Sequence, residues 1–336
     1  MTSQKLWTRR DTLAALGAGL ALPMLRAHSA QAAGSRNIVD VHAHFQPPAI
    51  RSLNIPGPMN AWDLQKQIDD MDAAGVTRAM LSITTPGVPA TGETGRRVAR
   101  ESNEYAAKLG SDHGKRFGSF IAVPMDDMDA ALKEVAHGLD VLKAQGVGLF
   151  TSYGNRWLGD AWFDPLFAEL DRRKAVVYVH PNTAACCTRL IPEVADTLIE
   201  YGTDTTRAIA SYVFRGAAKR YPNVRMIWSH SAGTMPYLIE RFEGAERSPA
   251  AKAQMPDGFR AAIAQFWYDI AQASNPVATT ALRSVVPMER IVFGTDYPFR
   301  TSLDHVKALE AGKVFDAREL QALYRGNVAA RLRELV

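Results

Sequence analysis

Eight short apolar runs rich in β-branched residues recur along this 336-residue chain, and they constrain its fold more than any other feature. They are NIVDVHAH (37–44), VTRAMLSIT (76–84), FGSFIAVP (117–124), VGLFTSY (147–153), AVVYVHPN (175–182), VRMIWSHSAG (224–233), FWYDIAQ (266–272) and RIVFGTDYP (290–298). Their apolarity is near-continuous rather than alternating, which predicts strands buried on both faces, as in a parallel sheet. Between them lie stretches with apolar residues at helical spacing. WDLQKQIDDMDAAG stops at Gly75, DMDAALKEVAHGLDVLKAQG stops at Gly146, and FDPLFAELDRRK opens on Asp164 and Pro165, a good cap and first-turn residue. Two more, 304–312 and 317–332, close the chain. Strands alternating with helices over roughly 300 residues predict a (β/α)₈ TIM barrel. An open doubly wound sheet is the alternative. It would carry a glycine-rich phosphate turn after its first strand, and HAHFQPP has none. The connections 183–223 and 234–265 are longer than one helix needs, so each is expected to add a cap or an interface segment.

The N-terminus is a different material. Arg9 and Arg10 precede an apolar run from Leu13 to Leu25, and small residues follow. That layout predicts a signal peptide of the twin-arginine type over residues 1–32, cut after Ala30-Gln31-Ala32. A single domain, 33–336, remains, and it is expected to be periplasmic or secreted. Nothing later in the chain reads as a membrane span. The leader holds Lys5, Arg9, Arg10 and Arg26 against Asp11, so only about +1 of the chain's formal +4 belongs to the rest. That balance gives no ground to expect a nucleic-acid or anionic-membrane partner. The only cysteines, Cys186 and Cys187, are adjacent. The ring that neighbouring cysteines close is strained, so free thiols are expected, and a core rather than a disulfide framework must hold the fold.

In a barrel, chemistry sits where strands end. Strand one ends in His42 and His44, strand five in His180, strand six in His230 and strand eight in Asp296. Residues two apart on a strand point to one side. His42 and His44 therefore share a target, while Val41 and Ala43 face outwards, and His180 and Asp296 can converge on the same point. Imidazole nitrogens with one carboxylate suit Zn²⁺, with Mn²⁺ or Fe²⁺ as alternatives. Ligands spread over several strands leave a coordination position open, as a catalytic site requires. His28 goes with the leader, and His113, His137 and His305 read as surface groups in helices or loops.

DVHAHFQP, IDDMDAAGV, VVYVHP, WSHSAGTMP and FGTDYPF together resemble the amidohydrolase superfamily. The resemblance runs from about residue 37 to the end. It is strongest to the branch containing aminocarboxymuconate semialdehyde decarboxylase and the o-hydroxybenzoate decarboxylases. TSYGNRWLGD, DTTRAI and the paired cysteines resemble 6-methylsalicylate decarboxylases. The resemblance implies His42, His44, His180 and Asp296 as ligands of one divalent metal, with Zn²⁺ first and Mn²⁺ second. It implies His230 as a nearby base or substrate anchor. Members with two metals carry a modified lysine on strand four, which VGLFTSY lacks. Arg241, eleven residues after His230, matches an arginine that reaches the substrate carboxylate in a neighbouring subunit, which implies a homodimer.

The activity implied is non-oxidative decarboxylation of a small aromatic or unsaturated acid, an o-hydroxybenzoate such as 6-methylsalicylate, with Asp296 as proton donor. Tyr153, Asn155, Arg156 and Trp157 follow strand four and Phe299 follows strand eight, where they could wall a pocket for a flat anionic ligand. Two other readings stay open: a metal-dependent hydrolase of a lactone or amide, and a non-catalytic binding protein on the same scaffold.

Overall fold

The computed structural model describes residues 36–336, so the expected leader lies outside the described residues. Each of the eight apolar runs contains a strand: β1 (Ile38–His44), β2 (Val76–Ser82), β3 (Phe117–Ile121), β4 (Gly146–Phe150), β5 (Val176–His180), β6 (Arg225–Trp228), β7 (Trp267–Asp269) and β8 (Ile291–Val292). They pair in parallel in chain order. The ring closes between its ends. The Val41 N–H donates to the Phe293 carbonyl at 3.0 Å, the Asp296 N–H donates to the His42 carbonyl at 2.9 Å, and Ala43 bridges Tyr297. This is the barrel and not the open sheet.

The expected helices are present and capped by local chemistry. α1 (Leu64–Ala74) starts where the Asp63 carboxylate accepts the Lys66 N–H and ends at Gly75, whose φ of +83° is left-handed. Two helices, α2 (Gly92–Asp112) and α3 (Met128–Ala136), flank β3. Of these α2 is the unforeseen one, while α3 begins the expected 127–146 stretch and gives way to a wide turn over His137–Val141. α4 (Asp164–Arg172) follows a two-residue hairpin, Ser152–Tyr153 with Arg156–Trp157, that ends the fourth run early. The long connection after β5 holds α5 (Asp196–Phe214), and the one after β6 holds only short helical turns up to Ile263. α6 (Pro276–Val285), capped by Asn275, and α7 (Ser302–Gly312), capped by Thr301, complete the outer layer. Among the described residues no helix is long and apolar enough to cross a membrane.

Two buried apolar clusters divide the molecule. The larger joins the helices to the outward residues of the strands, among them Ala79, Leu81, Val147, Val177 and Phe293. The smaller fills the lumen: Val39, Val41, Met80, Phe120, Val176, Tyr178, Ile227, Trp267 and Val292, closed from below by Val328, Leu332 and Leu335. Val41 therefore faces inwards, which corrects the strict alternation expected for β1. The ladder slips there, with two residues, Val41 and His42, set against one, Met80, between the Asp40–Ala79 and Ala43–Leu81 pairs. A bulge of this kind puts two successive residues on one side. It lets Val41 fill the lumen and still aims His42 and His44 at its mouth. His305 is also corrected: it is fully buried on α7, edge-on to Phe293 at 5.2 Å, because the helix turns that position onto β8. His113 and His137 are partly exposed, as expected.

Candidate metal centre and active site

The three imidazoles at the mouth are each held by their Nδ1 atom. His42 Nδ1 donates to Asp269 Oδ2 at 2.9 Å, His44 Nδ1 to the Ser82 carbonyl at 3.2 Å, and His180 Nδ1 to the Pro181 carbonyl at 2.8 Å. Carbonyls and carboxylates only accept, so each Nδ1 carries the proton and each Nε2 is left with a lone pair. Those bare atoms face one another. His42 Nε2 lies 3.1 Å from His44 Nε2. Asp296 Oδ1 lies 2.9 Å from His44 Nε2 and 3.2 Å from His42 Nε2, buried and without a hydrogen bond. One ligand atom from each of His42, His44, His180 and Asp296 falls within 4.8 Å of the others.

Four lone pairs pointing at one centre repel unless something positive sits between them. The electrostatics of the cluster likewise call for positive charge. Burial pushes the His42 imidazole down, yet the Asp269 and Asp296 carboxylates outweigh it and lift the group to about 10. Burial leaves His44 low and His180 well below the ordinary imidazole range, the latter with added repulsion from His44 and His42. Burial would raise Asp296, but His42, His230 and His44 hold it well below the usual carboxylate range. The site asks for one cation, and three nitrogens with one carboxylate oxygen fit a divalent metal.

Close approach requires a glycine at one point. A Cβ on Gly294 would come within 2.8 Å of the His42 Cβ and 2.9 Å of the Asp269 Cβ, so any side chain there would force apart the pair that orients His42. Asp40 fixes the bulge from the other side: its Oδ1 accepts the His42 and Thr295 N–H groups at 2.9 and 3.1 Å.

His230 and Asp296 meet as expected. His230 Nε2 lies 3.3 Å from Asp296 Oδ2, and the same oxygen accepts from Gln272 Nε2 at 3.2 Å. His230 Nδ1 is buried with no hydrogen-bond partner among the described residues. The backbone at this rim is strained: His230, Ser231, Ala232, Gln272 and Asp296 all have φ between +53° and +68°.

These residues floor a cleft of about 810 Å³. His180, His230, Gln272, Asp296 and Phe299 border it, and Phe299 stands 5.9 Å from the His44 ring. A second hollow of about 450 Å³ meets the first at Ile83, Pro86, Gly87 and His180, and it holds Tyr153 and Arg156. Of the expected pocket residues, Phe299 thus borders the main cleft, while Tyr153 and Arg156 border its neighbour. Trp157 lies elsewhere. Its Nε1 donates to the buried Asp204 at 2.6 Å, and with Asn155 it borders a separate outer groove. Arg241 is exposed on the short helix Ile239–Gly244 and borders neither cleft of its own chain.

Cys186 and Cys187 are bonded to each other, which corrects the expectation of free thiols. The tight turn Ala185–Cys187, pinned where Asn155 Oδ1 accepts the Cys186 N–H at 2.7 Å, brings the two sulfurs together. They take no part in the imidazole cluster.

Sequence reasoning missed Asp269 and Gln272. Asp269 is fully buried; besides holding His42 it accepts the His230 N–H at 2.9 Å and so ties a ligand to its neighbour. Its signal was present, since it is the one acid in the apolar run FWYDIAQ, at a strand end. Gln272, three residues on, had none.

The family model described as amidohydrolase matches residues 39–333. The chain is 35% identical over 273 residues to the 6-methylsalicylic acid decarboxylase of Penicillium expansum, covering 77% of this chain and 84% of that one. It is 33% identical over 281 residues to the 6-methylsalicylic acid decarboxylase of Aspergillus aculeatus, covering 77% and 84%. A dihydroxybenzoic acid decarboxylase from Polaromonas, solved with bound manganese and 2-nitroresorcinol, superposes with a TM-score of 0.75 at 19% identity, covering 89% of this chain and 97% of that one. That last likeness is one of fold.

Proposed function

This chain belongs to the amidohydrolase family, and from that premise we propose that it is a metal-dependent, non-oxidative decarboxylase of a small o-hydroxybenzoate such as 6-methylsalicylate. The observation that carries the reading is the joint presence of a four-ligand centre and a His230–Asp296 pair at the floor of one cleft. The decarboxylases to which the chain is 33–35% identical support carbon–carbon cleavage over hydrolysis.

Direct loss of CO₂ from an aromatic acid leaves an electron pair in an sp² orbital that the ring cannot delocalise. Protonating the ring carbon first gives that pair a place to go, and an ortho oxygen donates into the ring as aromaticity is broken. His42, His44, His180 and Asp296 would hold a divalent cation, which would supply Lewis-acid stabilisation to an anionic substrate. Asp296 Oδ1 faces the imidazoles, and Oδ2, which faces His230 and Gln272, is the oxygen that moves a proton. As a carboxylate it takes the phenolic proton of the substrate and delivers it to the ring carbon bearing the carboxylate. The carbon–carbon bond then breaks, CO₂ leaves, and the bonding pair restores the aromatic ring. His230 orients the phenolic oxygen and passes to the phenolate left by CO₂ loss a proton taken up from solvent. Each positioned acid or base contributes about 10²–10⁴ in rate.

We take the cation to be Zn²⁺, which the three-nitrogen, one-oxygen set suits, with Mn²⁺ as the alternative that the manganese-bound Polaromonas protein supports. The paired arginines Arg9 and Arg10 support export of the folded, metal-loaded protein, and the exposed Arg241 supports a homodimer in which it serves the partner's site. The test is incubation of metal-replete protein with 6-methylsalicylate and related acids, and separately with aryl lactones and amides. CO₂ and a phenol are the expected products. Products that have gained water instead would establish the hydrolase.

A further inference from the structure

The main cleft is far larger than a methylsalicylate. Such a ligand has about eleven non-hydrogen atoms and needs on the order of 300 Å³, even if each atom is given a water molecule's share of the liquid, about 30 Å³. The cleft holds about 810 Å³. His230, Gln272 and Asp296 border this cleft and not the second hollow, so the reacting ring belongs here.

The surplus space has a definite character. Beyond His180, His230, Gln272 and Asp296 the lining includes the apolar Ile50, Ile55, Met59, Pro89, Leu198 and Phe299, with uncharged polar residues such as Gln46, Thr85 and Tyr201 between them. Among the described residues that line the cleft, Asp296 is the only acid, and there is no lysine or arginine. Three of these wall residues leave large apolar area in water: Ile55 is 40% exposed, Leu198 76% and Phe299 43%. Apolar side chains gathered at the mouth of one cleft mark a surface that a ligand covers.

Resting on the decarboxylase reading above, we propose that the preferred substrate is an o-hydroxybenzoate whose 6-substituent is an apolar chain of several carbons, seated against Ile55, Leu198 and Phe299. With the carboxylate and hydroxyl at the ligand cluster, a 6-substituent would leave the ring beside the carboxylate, on a flank where Phe299, 5.9 Å from the His44 ring, begins the apolar wall. An uncharged wall gives a second carboxylate or an ammonium on the chain nothing to pair with, and such substrates are disfavoured.

The test uses 6-methyl-, 6-propyl- and 6-pentylsalicylate with the metal-replete protein. Each added methylene that is buried raises kcat/KM by roughly two- to fourfold. The gain enters through KM with kcat little changed, because the chain is remote from the reacting carbon. Leu198→Asp reduces the ratio of kcat/KM for the pentyl over the methyl substrate at least tenfold. A pentyl substrate no better than the methyl one overturns the inference while leaving the decarboxylase reading standing. A ratio unmoved by Leu198→Asp also overturns it. Release of CO₂ from none of the three overturns the reading on which it rests.

Discussion

The two ends of the barrel lumen are built from the same strands and do opposite things. Within five residues β5 supplies Val176 and Tyr178 to the apolar floor and His180 to the mouth. The floor is finished by Leu332 and Leu335 from the C-terminal segment, so water is excluded and apolar burial stabilises the fold. The mouth gathers buried charge instead: Asp269 fully enclosed, Asp296 nearly so, and three imidazoles with lone pairs turned on each other. Buried charge and left-handed backbone at His230, Ser231, Ala232, Gln272 and Asp296 cost stability. The floor therefore supports what the mouth destabilises, and substitutions at the two ends should separate stability from chemistry.

The sharpest way to break that separation is His180→Ala. Removing one ligand should strip the metal and lower turnover by at least about 10³-fold, while far-ultraviolet circular dichroism stays close to that of the parent. Metal analysis of the protein purified without chelator reads the first effect. Loss of the folded spectrum would instead make the imidazole part of the fold. The converse substitution is Leu332→Ala, which opens a cavity under the floor. It should cost about 2–5 kcal/mol in denaturant unfolding and leave kcat within about twofold. A large fall in kcat with unchanged stability would refute the division of labour.

The strands and the metal ligands were legible because both signals are local. A strand buried on both faces has to be a continuous apolar run, and a histidine or acid at its end stands out. The helix Gly92–Asp112 was not legible, since its exposed face is dense in Arg96, Arg97, Arg100 and Glu101 and it begins on Gly92 and Gly95. Trp157 and Phe299 looked alike as aromatics after strands. Only the fold shows that Asp204, from a helix about fifty residues on, takes the indole N–H and leaves Phe299 at the cleft. Val41 escaped period-two reasoning because a bulge depends on the partner strand's register. The pairing of Cys186 with Cys187 depends on a turn pinned by Asn155, which composition does not reveal.

Asp269 sharpens the comparison further, because it touches no reacting atom. Asp269→Asn keeps the shape but lets the amide present either N–H or C=O to His42, so the imidazole loses its enforced tautomer. Metal affinity should fall about 10–100-fold, measured by competition with a chromogenic chelator, and activity should return at saturating metal. Unchanged affinity would mean that His42 is oriented by the bulge alone.

The smallest effect compares two histidines with the same burial and opposite surroundings. His42 has carboxylates beside it and is lifted to about 10, whereas His305, enclosed behind β8 with neither ring nitrogen hydrogen-bonded among the described residues, is pushed down by burial from 6.5 to about 3. A group whose protonation the folded state resists is protonated first in the unfolded chain. Its contribution to stability is therefore complete above pH 6.5 and drains away as the pH falls toward about 3. At about pH 5.5 the loss is about 1.4 kcal/mol relative to neutral pH. His305→Leu removes the proton-binding group and keeps the site apolar. The stability of the variant should decline less between about pH 8 and pH 5.5, by about that amount, in urea titrations at each pH. Identical pH slopes in parent and variant would show that His305 already finds a partner for its proton in the folded state, and the enclosed ring would then belong with the polar mouth rather than with the apolar shell.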